Sequence, residues 1–177
     1  MFTGIIESTG RIETAVVTPE NTRLTIHSPL IGLHRIAIGD SIAVNDVCLT
    51  VVQKGPESFE VEVSKETLDA TIGFAQGAEV NLEKSLRFGD RIGGHLVSGH
   101  VDGVGVVTAM EDLGASWRLE ILAPKELGKF VARKGSITVD GVSLTVNRVR
   151  DTEAGAVFEI NIIFYTYQVI NIKRFGK

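Results

Sequence analysis

Apolar and β-branched residues recur along this chain in short runs, several alternating with period two, and Gly, Pro, Asn and Asp break the runs apart. Leu24 to His27, Ser41 to Ala43, Cys48 to Gln53, Phe59 to Ser64 and Glu79 to Glu83 read as strands at the spacing of a small antiparallel barrel. Two short segments, 29–35 and 124–131, read as helices, each opening on a proline whose missing N–H costs nothing at a helix start. The pattern also occurs twice. Ser41 to Val52 reads SIAVNDVCLTVV and Ser136 to Asn147 reads SITVDGVSLTVN, and the same offset of 95 places Gly4 on Gly99, Gly10 on Gly105, Arg23 on Arg118 and Pro29 on Pro124. A period that long exceeds that of a solenoid, about 20 to 50 residues, and describes two copies of a small domain. Each copy is predicted to be an all-β Greek-key barrel with one short helix, closed so that no strand edge is left bare. The copies divide as residues 1–95 and 96–177, with Gly93-Gly94-His95 and Gly99 at the joint.

The two copies are chemically unequal. Cys48 stands where the second copy has Ser143, and His100 where the first has Ile5. Two similar pockets with different polar groups can hold two similar ligands in different roles. The length of 177 residues leaves each copy near the lower end of what folds around its own core, so each is expected to lean on the other or on a partner subunit. A net charge of -4 without a run of Lys or Arg argues against nucleic acid and against an anionic membrane surface. One cysteine excludes an internal disulfide framework and, with no apolar segment long enough to span a bilayer, points to a cytoplasmic protein. MFTGIIESTG at the start lacks the basic head and apolar run of a signal peptide. His95 and His100, five apart with one distant Cys, do not make a metal site. His95 in its Gly-rich joint reads as a residue satisfying local backbone groups. Trp117, Met110, His27 and His34 carry no functional signal.

Specific motifs now matter. MFTGIIE, SIAVNDVCLTV, the KETL of Lys65 to Leu68, VNLEKSL, RIGGHLVSGHVDG at Arg91 to Gly103 and KGSITVDGVSLTV at Lys134 to Val146 resemble the alpha chain of riboflavin synthase, in register from Met1 to about Phe158. The resemblance implies two tandem six-stranded Greek-key barrels and a C-terminal helix that assembles a trimer, with each active site between the first barrel of one subunit and the second barrel of its neighbour. It implies a dismutation in which a four-carbon unit passes between two molecules of 6,7-dimethyl-8-ribityllumazine, giving riboflavin and 5-amino-6-ribitylamino-pyrimidinedione, with no metal or cofactor. Association with lumazine synthase is a further implied partnership, and the related lumazine proteins supply the alternative of a non-catalytic lumazine or flavin carrier. By the same resemblance Cys48, His100, Ser143 and Thr145 stand at the reacting rings. One ligand would be lined by Gly4, Ile5 and Ile6, by Leu49 and Thr50 beside Cys48, by Glu62, Val63, Ser64, Lys65, Glu66 and Thr67, and by Gly99 and Val101. The other would be lined by Lys134, Leu144, Asn161, Ile162, Ile163 and Thr166.

The C-terminus departs from that family. An expected IPHTxxxT segment reads Ile163-Phe164-Tyr165-Thr166-Tyr167-Gln168-Val169-Ile170, so Pro, His and the second Thr are replaced. The repeat resumes here with a four-residue shift that puts Thr166 on Thr67, and Gly176 then aligns with Gly77. The second copy is therefore expected to lack a counterpart to Glu79–Glu83, its last strand, and with it the trimer helix. An open barrel with Phe164, Tyr165 and Ile170 adding apolar surface at the gap, and turnover impaired by it, is the expectation.

Overall fold

The computed structural model describes residues 1–174; Gly176 and its alignment with Gly77 lie outside the described residues. Six strands close the first barrel: β1 (Ser8–Val17), β2 (Asn21–His27), β3 (Ser41–Val44), β4 (Val47–Lys54), β5 (Ser58–Ser64) and β6 (Glu79–Lys84), in spatial order β1-β2-β5-β4-β3-β6. β6 closes the ring by pairing with β1 through Leu82 and Ser8 and with β3 through Glu83 and Ala43. Ile12, Leu24, Ile26, Ile42, Val51, Phe59, Val61 and Leu82 fill its interior.

The sequence pattern does not predict β1, because Gly10 interrupts its alternation. A Cβ at Gly10 would lie 2.7 Å from Leu82 Cδ1 and 2.9 Å from Ile26 Cγ2, so the glycine is a packing requirement where strands approach closely. The segment 29–35 forms only a 3-10 turn, Leu33–Arg35, since Gly32 takes the left-handed conformation (φ 75) and stops any longer helix. Its counterpart at 124–131 shortens to helix α2 (Lys125–Gly128). A further short helix, α1 (Lys65–Asp69), follows β5, with Ser64 Oγ accepting from Thr67 N at 3.2 Å.

The second copy repeats this path with β7 (Val106–Asp112), β8 (Ser116–Pro124), β9 (Ser136–Val139), β10 (Val142–Thr152), β11 (Gly155–Ile163) and helix α3 (Phe164–Val169). The four-residue shift falls in the hairpin between β10 and β11, where it lengthens both strands: 11 and 9 residues against 8 and 7 in β4 and β5. Among the described residues five strands form the second sheet, in order β7-β8-β11-β10-β9, as the sequence pattern leads one to expect. Ile170, however, does not add exposed surface. It is 3 % exposed and, with Ile172 at 0 %, fills the second core, because the chain turns inward after α3. Phe164 and Tyr165 remain exposed, at 53 % and 70 %.

The copies meet about a pseudo-twofold axis. Phe2 and Val97 occupy equivalent repeat positions and pair with each other, N–H to carbonyl at 2.8 and 3.0 Å. Asp46 and Gly141 are equivalent too, and a Cβ on Gly141 would lie 3.1 Å from Asp46 N. Both belong to two-residue hairpin turns with positive φ at each position, Asn45 (48) and Asp46 (74) in one and Asp140 (48) and Gly141 (83) in the other. Asn171 ties the C-terminal turn to β6, donating from its backbone to Asn81 Oδ1 at 2.8 Å and from its amide to Asn45 Oδ1 at 3.0 Å.

Candidate functional site

The candidate residues lie on the outer faces of the two sheets. In β4 the side chains of Val47, Leu49 and Val51 fill the core, so strand alternation turns Cys48, Thr50 and Val52 outward. In β10 Val142 and Val146 point inward, and Ser143, Thr145 and Asn147 point out. Glu62 and Ser64 on β5, and Asn161 and Ile163 on β11, share those faces, which Thr67 of α1 and Thr166 of α3 flank. A cavity of about 270 Å³ opens on the second face. Ser143, Leu144, Thr145, Asn161, Ile162, Ile163 and Thr166 line it, and so does Asn147, which the sequence reading leaves out. On the first face Leu49 and Val63 turn their side chains to the core and can offer only backbone.

Equivalent positions carry different charge. Glu62 accepts from Arg23 at 2.7 Å and from Asn21 Nδ2 at 3.0 Å, giving the first face an ion pair. Its counterpart Asn161 accepts from Asn147 at 3.2 Å and donates to Ser116 Oγ at 3.3 Å, and Arg118, equivalent to Arg23, pairs with Glu111 instead. Lys65 and Glu66 are exposed residues of the first turn of α1.

Each face is bordered by a segment from the other copy, which corrects the predicted grouping. Gly4 to Ile6 do not lie with Cys48: Gly4 O accepts from Ser143 N at 2.8 Å, and Ile6 packs into the second core. Gly99 O accepts from Cys48 N at 2.8 Å, and Val101 packs into the first core. Glycine is required at both crossings, with φ 74 at Gly4 and 77 at Gly99, and with Cβ sites 2.6 Å from Ser143 Cβ and 2.7 Å from Cys48 Cβ respectively. The pseudo-twofold axis produces the exchange, since a terminal segment that crosses it must border its partner's sheet. Ile5 turns away from both faces and lines a larger cleft, about 510 Å³, with Glu83, Ser41 and Arg91 among its walls.

His95 is the polar residue the sequence reading set aside. Its Nδ1 stands 2.7 Å from Ser143 Oγ and its Nε2 3.1 Å from Thr138 Oγ1. Burial pushes the imidazole below the usual histidine range, so near neutrality the ring is uncharged. A neutral ring can accept at Nδ1 from the Ser143 hydroxyl while Nε2–H donates to Thr138. The available signal was Gly94: a Cβ there would stand 2.1 Å from Thr3 O and 2.7 Å from Ser143 Cβ, which forces the joint against the site. His100 is exposed and follows Gly99 at the mouth of the first face, its N–H donating to Ser98 Oγ at 3.2 Å. Lys134, with its N–H to Val146 O at 2.7 Å, holds φ 66 where the first copy has Gly39 at φ 95; its side chain is exposed and does not line the second-face cavity.

The carboxyl residues at the axis, Asp46 and Asp140, are half-buried. Asp46 is pushed up to about 7 by burial and by the neighbouring charges of Asp140, Glu83 and Asp102, and its Oδ1 has no hydrogen-bond partner among the described residues. Burial pushes Asp140 up to about 6.

Comparison with known proteins also finds the chain to be doubled. The lumazine binding domain matches this chain twice, over residues 3–85 and 98–177. The chain is 40% identical over 174 residues to the riboflavin synthase of Photobacterium leiognathi, covering 97% of this chain and 78% of that protein. Against the Brucella abortus enzyme the figures are 41% over 176 residues, 96% and 85%, and against the Bacillus subtilis enzyme 45% over 148 residues, 82% and 68%. The fold superposes on LumP complexed with 6,7-dimethyl-8-(1'-D-ribityl) lumazine with a TM-score of 0.86, over 100% of this chain and 94% of that one at 23% identity; LumP complexed with riboflavin gives 0.84, over 97% and 91%. The chain is a tandem of two lumazine binding domains. The protein belongs to the riboflavin synthase family.

Proposed function

We propose that the protein catalyses the dismutation of two 6,7-dimethyl-8-ribityllumazine molecules, transferring four carbons from one to the other to give riboflavin and 5-amino-6-ribitylamino-pyrimidinedione. One observation carries this reading: two equivalent but unequal polar faces, Cys48 beneath Gly99 and Ser143 beneath Gly4, in a chain 40% to 45% identical to riboflavin synthases. Two substrate molecules contain the atoms of both products, so no outside oxidant enters. The reaction needs a proton removed from the 7-methyl group of one ring, a nucleophile added to the other, and the rings held face to face.

Holding the two rings in register supplies much of the rate, since well-oriented reactants gain up to about 7–11 kcal/mol over free encounter. The neutral His95 ring, bonded to the Ser143 hydroxyl, is suited to receive and return a proton at that oxygen. Cys48 and Thr50 present a thiol and a hydroxyl on the opposing face, with His100 at its mouth. Because both faces point outward, a stacked pair of rings fits between the first barrel of one protomer and the second sheet of another, in a homo-oligomer. Lys134 holds a backbone conformation that costs a non-glycine residue about 1–2 kcal/mol, and its role toward the second ligand rests on the family resemblance, since its side chain stands outside the cavity.

A carrier that binds lumazine or flavin without turnover is the second reading, favoured by the full-length superposition on LumP. Incubation with the lumazine and measurement of riboflavin per chain over an hour separates the two. Riboflavin forming with two lumazines consumed for each is expected; stoichiometric binding with no product selects the carrier.

A further inference from the structure

The border of the second face is also held by the first barrel. Glu83 on β6 is 5 % exposed and accepts three hydrogen bonds from the N-terminal segment: Thr3 N at 2.7 Å and Thr3 Oγ1 at 2.8 Å on Oε1, and Gly4 N at 2.9 Å on Oε2. From these two residues the contacts run on to the second face by two routes. Gly4 O accepts from Ser143 N at 2.8 Å, and Thr3 O accepts from His95 N at 3.1 Å. His95 Nδ1 in turn meets Ser143 Oγ at 2.7 Å. Both routes end on Ser143, one on its backbone and one on its side chain. Bonds to an ionised acceptor are stronger than neutral ones; burial pushes the Glu83 carboxyl above the usual carboxylate range, and its three hydrogen bonds act in the opposite direction.

We propose that Glu83 is a positioning residue for the second ligand face: by fixing Thr3 and Gly4 it sets the distance and orientation between His95 and Ser143. The proposal rests on the reading of Ser143 and His95 as part of the reacting site. Glu83 touches neither residue and acts through the N-terminal segment. The bond from Cys48 N to Gly99 O on the first face involves no atom of Glu83, so a change at Glu83 should reach one face and spare the other.

The test uses the full chain labelled with 15N, as wild type, Glu83→Gln and Thr3→Val, with Glu57→Gln in an exposed turn as control. Long-range proton–nitrogen spectra read the His95 ring nitrogens, and amide spectra read Ser143, Cys48 and Gly99. In Glu83→Gln the His95 and Ser143 signals are expected to move while those of Cys48 and Gly99 stay. Turnover should fall about 10-fold or more in kcat with KM little changed, as for a misplaced reacting group. In a Ser143→Ala background Glu83→Gln should add no further loss. His95 and Ser143 signals that match wild type in folded Glu83→Gln overturn the proposal. Should Glu83→Gln not fold, Thr3→Val removes only the hydroxyl bond and carries the same spectral criterion. A wild-type chain that makes no riboflavin defeats the reaction assigned above, and the His95 signature still decides the role of Glu83.

Discussion

Single side chains at the pseudo-twofold axis set how stability depends on pH. Asp46 stands at φ 74 in a hairpin turn, with a buried oxygen unbonded among the described residues and with Asp140, Glu83 and Asp102 as its charged neighbours. Its carboxyl titrates near 7 in the folded chain and near 3.8 in the unfolded one. A raised folded value means that the folded state holds the proton more tightly, so this contribution is complete below about pH 4 and is lost as pH rises through 7. Asp140, raised to about 6, acts in the same direction. Asn tolerates positive φ as Asp does, so Asp46→Asn removes the charge without adding backbone strain. The variant is expected to melt about 2–4 °C above wild type at pH 8, the effect of about 1 kcal/mol in a chain of this size, and to match it at pH 4. Thermal melts between those pH values check this; a wild-type profile that stays level from pH 5 to 8 would falsify the assignment.

Among elements, the contrast between α1 and α3 shows what a repeat can disclose and where it stops. Ser64 caps α1 through Thr67 N, and Thr71 closes it by donating to Thr67 O at 2.9 Å. In α3 the same positions are Ile163, which offers no cap, and Ile170, which leaves the surface for the second core. Trp117 of β8 stacks on Tyr167 at 4.6 Å and takes over part of the task of holding α3. Ile163→Ser is expected to restore the cap and stabilise the chain by about 1 kcal/mol, raising the melting temperature by about 2–4 °C. An unchanged or lower midpoint would show that Ile163 contributes more through packing than a cap returns. The repeat itself was legible, because Gly4 and Gly99, or Cys48 and Ser143, occupy equivalent places whatever their side chains. So were the strands of the second sheet that match β2 to β5. The inward turn of Ile170 was not legible, since an apolar residue after a helix reads equally as exposed edge or as core. Nor was the exchange of borders: an offset of 95 shows that Gly4 matches Gly99 but not which sheet each one crosses. His95 was hidden for the same reason, its partners Ser143 and Thr138 lying 48 and 43 residues away.

At the scale of the whole molecule the axis makes one copy a stand-in for the other, and this has a consequence for the first barrel taken alone. A fragment of Met1 to Arg87 keeps β1 to β6 and its core but loses Val97 to Val101, the segment that covers Cys48. It also leaves its own Phe2 to Ile6 without the second sheet on which they pack. The missing segment and the unpaired one occupy equivalent repeat positions and share a conformation at their glycines, φ 74 and φ 77. A second copy can therefore lay its Gly4 on Cys48 as Gly99 does, with Ile6 in the place of Val101 and Phe2 paired with Phe2 where Val97 now pairs. The fragment is expected to form a twofold dimer with exchanged N-terminal segments, in an isologous arrangement. In that dimer Asp46 of each copy takes the place of Gly141 and faces its equivalent, so a second Asp46 carboxyl stands where the full chain has a glycine. Like charges so close favour a proton on at least one of them. Dimerisation should accordingly tighten as pH falls from 8 to 5.5, and Asp46→Asn should remove most of that dependence. Sedimentation equilibrium at the two pH values reads both effects. A fragment that stays monomeric at pH 5.5 while its barrel is folded would mean that the exchanged segments depend on features of the second copy which the first does not reproduce.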